Sequence, residues 1–146
     1  MSFLTEEPIL TDALLPKPFP PAWGACVSFA GAVRHVNEGR RVSHITYSAY
    51  RPLAEKEIEK LIVRVKANTG VAEIRVAHRL GQLHPGDTAV LIWAFSIHRK
   101  EAFRACENMI ELLKESVPIW KKEIYAEEVL VSQQEPGPSQ KKRILA

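Results

Sequence analysis

Hydrophobic positions in this chain switch repeatedly between a period of two and a period near 3.6. From Trp23 to Val33 the residues Ala25, Val27, Phe29 and Gly31 fall on one side, which predicts a strand. His35 to Arg41 is polar and holds Gly39, so it reads as a turn. Val42 to Tyr50 alternates again, with Ile45, Tyr47 and Ala49 on one side, and pairs naturally with the first run. Between Leu53 and Asn68 the period lengthens. Ala54, Ile58, Leu61, Ile62 and Val65 form a helical stripe, with Pro52 before it and Gly70 after it. Ala72 to Leu80 returns to alternation through Ile74, Val76, His78 and Leu80. His84 to Asp87 is a turn, and Thr88 to Ile97 is almost unbroken apolar, the pattern of a central strand buried on both faces. Arg99 to Glu115 predicts a second helix, with Ala102, Phe103, Cys106, Met109, Ile110 and Leu113 as its buried stripe. Short strands are expected at Ile119 to Tyr125 and at Val129 to Ser132.

The order β-β-α-β-β-α-β predicts an α+β fold, with two main helices on one face of a mostly antiparallel sheet. One domain is expected over residues 23–132. Residues 1–22 carry five prolines and read as an extended lead-in, with an edge strand expected around Ile9 to Leu15. Residues 133–146 read as a flexible tail containing Lys141, Lys142 and Arg143.

Composition narrows the function classes. The 146 residues are 46% hydrophobic and 25% charged with a formal net charge of +3, which suits a globular domain with an ordinary core. The first residues lack a basic start followed by a long apolar core, and no window nears the ~18 apolar residues of a membrane span, so the cytoplasm is the expected location. Cys26 and Cys106 are far apart and sit among apolar neighbours. They predict buried thiols rather than a disulfide or a zinc site, and no histidine or carboxylate pair has metal-ligand spacing. The small charge excess and the lack of aromatics interleaved with cations argue against a nucleic-acid surface.

Candidate chemistry lies at the ends of elements. In "KESVPIWKKE" (Lys114 to Glu123), Pro118 stops the second helix, leaving Lys114 in its last turn and Lys121 on the next strand. A lysine among apolar groups or near another cation has a lowered pKa and can move protons. Arg34 ends the first long strand, and its planar fork suits phosphate or carboxylate. His98 and Arg99 stand where the central strand meets the second helix, whose free N–H groups favour an anion. For each of these taken alone, a solvated side chain explains the position at least as well. His78 reads as a satisfied core histidine. No GxSxG, P-loop or GxGxxG occurs, and the chain shows scattered cations without a nucleophile of its own. A non-catalytic module binding a phosphorylated ligand or an acidic peptide tail fits these cations too.

Three segments carry a resemblance. "FAGAVRHVNEG", "YSAYRPLAEKEI" and the long block "AHRLGQLHPGDTAVLIWAFSIHRKEAFRACENMIELLKESVPIWKKE", in this order, resemble the large, catalytic subunit family of molybdopterin synthase over Trp23 to Glu123. The resemblance implies an α/β hammerhead-like fold and a sulfurtransferase of molybdenum cofactor biosynthesis. It implies conversion of precursor Z, a cyclic pyranopterin monophosphate, to molybdopterin. Two sulfurs would come from the C-terminal thiocarboxylate of a small ubiquitin-like subunit ending in Gly-Gly. Two large subunits would pair within a heterotetramer, with no metal or cofactor. By position, Lys114 and Lys121 match the family's two active-site lysines. Arg34 matches its strand-end arginine, and His98 and Arg99 match a His-Arg pair that reaches the pocket from the other large subunit. Ala32, Val33, Lys122 and Glu123 complete the expected substrate-binding set. Ala32 stands where relatives often carry lysine, so only backbone contact is expected there.

Overall fold

A computed structural model describes residues 2–131 and 140–143. The first sheet has the order β1-β5-β7-β2, from β1 (Leu4–Thr5), β2 (Ala25–Ala32), β5 (Glu73–Arg79) and β7 (Thr88–Ser96). All its pairs are antiparallel except β1 with β5. One face is covered by α1 (Arg51–Thr69) and α2 (Arg99–Ser116), which bury Ile58, Val65, Met109 and Leu113 against Val76, Ile92 and Ala94. Gly70 closes α1 in the left-handed region at φ 74°, donating its N–H to the Lys66 carbonyl, a conformation that favours glycine.

The lead-in covers the other face of this sheet. Trp93 Nε1 donates to the Thr11 carbonyl at 2.9 Å and Arg75 Nη1 to the Leu14 carbonyl at 2.8 Å. Trp23 stacks on Phe95 with ring centres 4.8 Å apart. That is why β7 is apolar on both faces, as its sequence predicts.

The second sheet joins β3 (Val36–Asn37), β4 (Arg40–Ala49), β8 (Ile119–Tyr125) and β9 (Gln140–Arg143), with β6 (Gly81–Leu83) also paired to β4. Glu38 and Gly39 both have positive φ, 52° and 76°, so β3 and β4 form a tight hairpin that swings Asn37 back over β8. A small core of Val33, Val42, Ile45, Leu83, Ala89 and Tyr125 binds this sheet to the first.

The α+β class and both long helices agree with the sequence reading, but several details differ. The sheet is two sheets, because β4 pairs with β8 and β6 and not with β2. The edge strand of the lead-in is Leu4–Thr5 rather than Ile9 to Leu15, held by the His78 and Leu80 N–H groups donating to the Phe3 and Thr5 carbonyls. Ala126–Val131 is a short helix, α3, where a strand was expected from Val129. Glu127 and Glu128 in its first turn suit a helix N-terminus, and both pair with Arg40. Cys26 is exposed on β2, and Phe103 is 60% exposed on α2, where Ala105 takes the buried place. Part of the expected tail, Gln140–Arg143, is a strand along β8. Residues 132–139 and 144–146 lie outside the described residues.

Candidate active site

A cavity of about 500 Å³ opens between the C-terminal half of β2, the last turns of α2 and the inner face of β4 and β8. Lys114 enters it from the last turn of α2, beside Leu113 and Ile110. The helix stops there because Pro118 follows, and Val117 adopts extended backbone at ψ 130°. Lys121 enters from β8, opposite Tyr47 of β4. Burial, and then the charge of Lys121, lower the pKa of Lys114 below its ordinary value. The two ammonium groups therefore share one space despite coming from different elements.

Glu123 anchors the floor. It is 6% exposed, and its carboxylate accepts from Lys121 Nζ at 3.1 Å, Asn37 Nδ2 at 2.8 Å and the Tyr125 hydroxyl at 2.5 Å. Burial pushes its pKa up, but hydrogen bonds from Tyr125, Lys121 and Asn37 and the Lys121 charge outweigh this and leave it below the usual value. Tyr125 is pushed up, first by its bond to Glu123 and then by burial. Arg34 stands at the rim, its Nη2 3.5 Å from Asn37 Oδ1. Ala32 and Val33 line the opening. Tyr47 packs edge-on against His78 with ring centres 5.1 Å apart, and burial drives their pKa values to about 12 and about 4. Both therefore stay neutral near pH 7, leaving the lysines and Arg34 as the cavity's cations.

Of the residues singled out from the sequence, the cavity gathers Lys114, Lys121, Arg34, Glu123, Ala32 and Val33. Lys122 is not among them. Strand alternation sends it to the outer face of β8, opposite Thr46 and near His44. His98 and Arg99 are also absent. They are exposed at the start of α2, and 15 residues at 1.5 Å each put Arg99 about 22 Å along the axis from Lys114. Tyr47 lines the cavity and Tyr125 bonds to Glu123 on its floor, and the motif reading marks neither. Period-two alternation was the available signal. Lys121, Glu123 and Tyr125 share one face of a strand, and the same rule excludes Lys122. Among the described residues no group of three metal-ligating side chains gathers.

With this geometry in view, comparison with known proteins is decisive. The family model described as MoaE protein matches residues 4–116. The chain belongs to the MoaE family. It is 42% identical over 120 residues to molybdopterin synthase catalytic subunit 1 of Mycobacterium tuberculosis, covering 82% of each. The fold is similar to the crystal structure of molybdopterin synthase from Staphylococcus aureus, with a TM-score of 0.84 and 35% identity over 98% of this chain and 97% of that one. It is also similar to a chain in a complex of subunits 1 and 2 of the molybdopterin-converting factor from Helicobacter pylori. There the TM-score is 0.61 with 31% identity, covering 73% of this chain and 74% of that one. MoaE family members are catalytic subunits of molybdopterin synthase, so the chain is an enzyme subunit of sulfur transfer in molybdenum cofactor biosynthesis.

Proposed function

We propose that the cavity holds precursor Z against the thiocarboxylate tail of a small ubiquitin-like subunit ending in Gly-Gly, and that its cations carry the sulfur transfer. The supporting observation is the placement of Lys114 and Lys121, from two elements, in one half-enclosed space with a buried carboxylate beneath. The nucleophile is the incoming sulfur, so the chain needs none. It must hold two anions close together, which they resist in water, and positioned cations do this best where water is excluded. Arg34, with the backbone of Ala32 and Val33, anchors the substrate at the rim. Lys121, oriented by Glu123, stabilises negative charge on the thiocarboxylate carbonyl as it reacts. Lys114, whose burial eases loss of its proton, moves protons at the reacting centre.

His98 and Arg99 reach a cavity only from a second copy, which fits two large subunits with a small one on each. The Helicobacter pylori assembly of two unlike subunits supports the small partner. The reaction belongs in the cytoplasm, and among the described residues no helix is long and apolar enough to cross a membrane.

The test is sulfur transfer from a thiocarboxylated small subunit to precursor Z. Lys121→Ala should lower the rate by roughly 10²–10³, the usual effect of losing one group that stabilises transition-state charge. Undiminished transfer would overturn the assignment.

A further inference from the structure

The outer face of the second sheet carries a pair of histidines that the cavity does not use. Ile45 of β4 pairs with Leu83 of β6, and both side chains are buried. One step along this antiparallel register, His44 stands opposite His84, and strand alternation turns both away from the cavity. Their ring centres are 6.0 Å apart and their planes are tilted by 49°. Two imidazoles that share one ion through bonds of about 2.0–2.1 Å have ring centres roughly 5–6 Å apart, so the pair is spaced at the upper end of that range.

Each ring has one nitrogen held and the other open. His44 Nδ1 lies 3.1 Å from the Ser43 hydroxyl, and His84 Nε2 lies 3.4 Å from the Gln82 amide. Among the described residues no hydrogen bond reaches His44 Nε2 or His84 Nδ1. A metal-bound imidazole shows the same pattern, with one nitrogen on the ion and the other on a polar neighbour that fixes the tautomer. Gln82 takes that part with its amide oxygen towards the ring, which the amide reaches by turning over. Burial, and then the neighbouring His84 and Lys122, lower the pKa of His44, so its lone pair is available near pH 7.

His84 is also fixed in place by its turn. Pro85 and Gly86, the latter at φ 94°, reverse the chain. The Asp87 N–H donates to the His84 carbonyl at 2.9 Å, and the His84 N–H donates to the Asp87 carboxylate at 2.8 Å. The turn rests on Val33, whose N–H donates to the Asp87 carbonyl at 2.9 Å and whose carbonyl accepts from the Gly86 N–H at 2.8 Å.

We propose that His44 and His84 form a two-histidine site for a divalent transition ion of the zinc, nickel and copper class, which clips β4 to the turn that holds Val33 at the cavity mouth. Imidazole nitrogens suit these ions, whereas magnesium and calcium take oxygen ligands. Water fills the remaining positions, since among the described residues no third histidine, cysteine or carboxylate gathers with the pair. The Asp87 carboxylate is already engaged by the His84 N–H and by Arg79 Nη1 at 3.7 Å. Lys122, whose charge reaches His44, is exposed, and its flexible stem carries the ammonium into water. The site lies on the far face of the sheet from Lys114 and Lys121, so it stands independently of the function proposed for the cavity.

Calorimetric titration of the full chain with Zn²⁺, in a buffer that does not chelate it, tests the site. His44→Ala and His84→Ala should each weaken binding by roughly tenfold or more, the loss expected when a ligand or its support is removed. Both side chains point out of the sheet, so circular dichroism should stay native in the two variants. His35→Ala, which removes an exposed histidine outside the pair, should bind as the wild type does. Substoichiometric Ni²⁺ supplies a reading that needs no substitution. Its paramagnetism should broaden the ring-proton signals of His44 and His84 before those of His35, His78 and His98. The clip has its own readout, since bound Zn²⁺ should slow hydrogen exchange at the Val33 and Gly86 amides in the wild type and not in His44→Ala. No binding at millimolar Zn²⁺, undiminished binding in either variant of the pair, or first broadening at another histidine would each overturn the site. Val33 and Gly86 amides indifferent to the bound ion would overturn the clip.

Discussion

At the scale of single residues, the site depends on one buried carboxylate. Glu123 holds Lys121 and Tyr125 of its own strand together with Asn37 of β3, so its charge organises the cavity floor before any ligand arrives. Its folded pKa is depressed below the ordinary 4.5, so the stability it contributes is present above about pH 4.5 and lost as pH falls through the depressed value. Glu123→Gln keeps the shape but loses the charge, and should cost about 1–3 kcal/mol at pH 7. Urea midpoints as a function of pH check this, since the gap between wild type and variant should shrink below pH 4.5. A gap unchanged down to pH 3 would mean that the charge contributes nothing. The same charge logic applies to Lys114 with the opposite sign. Removing a neighbouring cation by Lys121→Met should raise the Lys114 pKa part of the way towards its ordinary value, the remaining depression coming from burial. NMR titration of the isotopically labelled lysine reads this directly.

At the scale of elements, β8 is where the site is assembled, because it pairs with β4 on one side and β9 on the other. Lys121 and Lys122 pair in register with Lys142 and Lys141 of β9, so the strand that carries Lys121 and Glu123 is a central strand rather than an edge. Removing residues 140–146 should therefore speed amide exchange at Trp120 to Glu123 by tenfold or more, while the β7 amides stay protected. Equal exchange in the full and shortened chains would refute a supporting role for β9. The elements also mark the limits of what the residue pattern reveals. α1, α2, β5 and β7 were legible because their periods run for many residues and their apolar faces meet one core. The Val129 run misled because β-branched residues favour strands, while two ion pairs from Arg40, 87 residues away, favour a helix. The Asn37–Glu123–Tyr125 network was illegible as a network, since it exists only once a tight hairpin swings Asn37 across to β8. Lys114 and Lys121 were legible because the proline between them fixes where one element ends and the next begins.

At the scale of the whole molecule, two sheets and a helix end hold cations together that would separate if the chain were free to relax. That arrangement costs stability in the unliganded protein, since burial and the Lys121 charge both act against a protonated Lys114. A dianion in the cavity should relieve the cost. Inorganic phosphate is the simplest probe, sharing its charge and donors with the substrate's phosphate. At a hundredfold excess over its Kd, binding to the folded state alone contributes about 2.7 kcal/mol. For a chain of this size that corresponds to a rise in Tm of roughly 5–10 °C. Phosphate also strengthens hydrophobic burial non-specifically, so the wild-type shift alone decides nothing. The comparison is with Lys114→Met/Lys121→Met at the same ionic strength, where only the non-specific part should remain. Equal phosphate shifts in the two proteins would mean that the cavity is not an anion site.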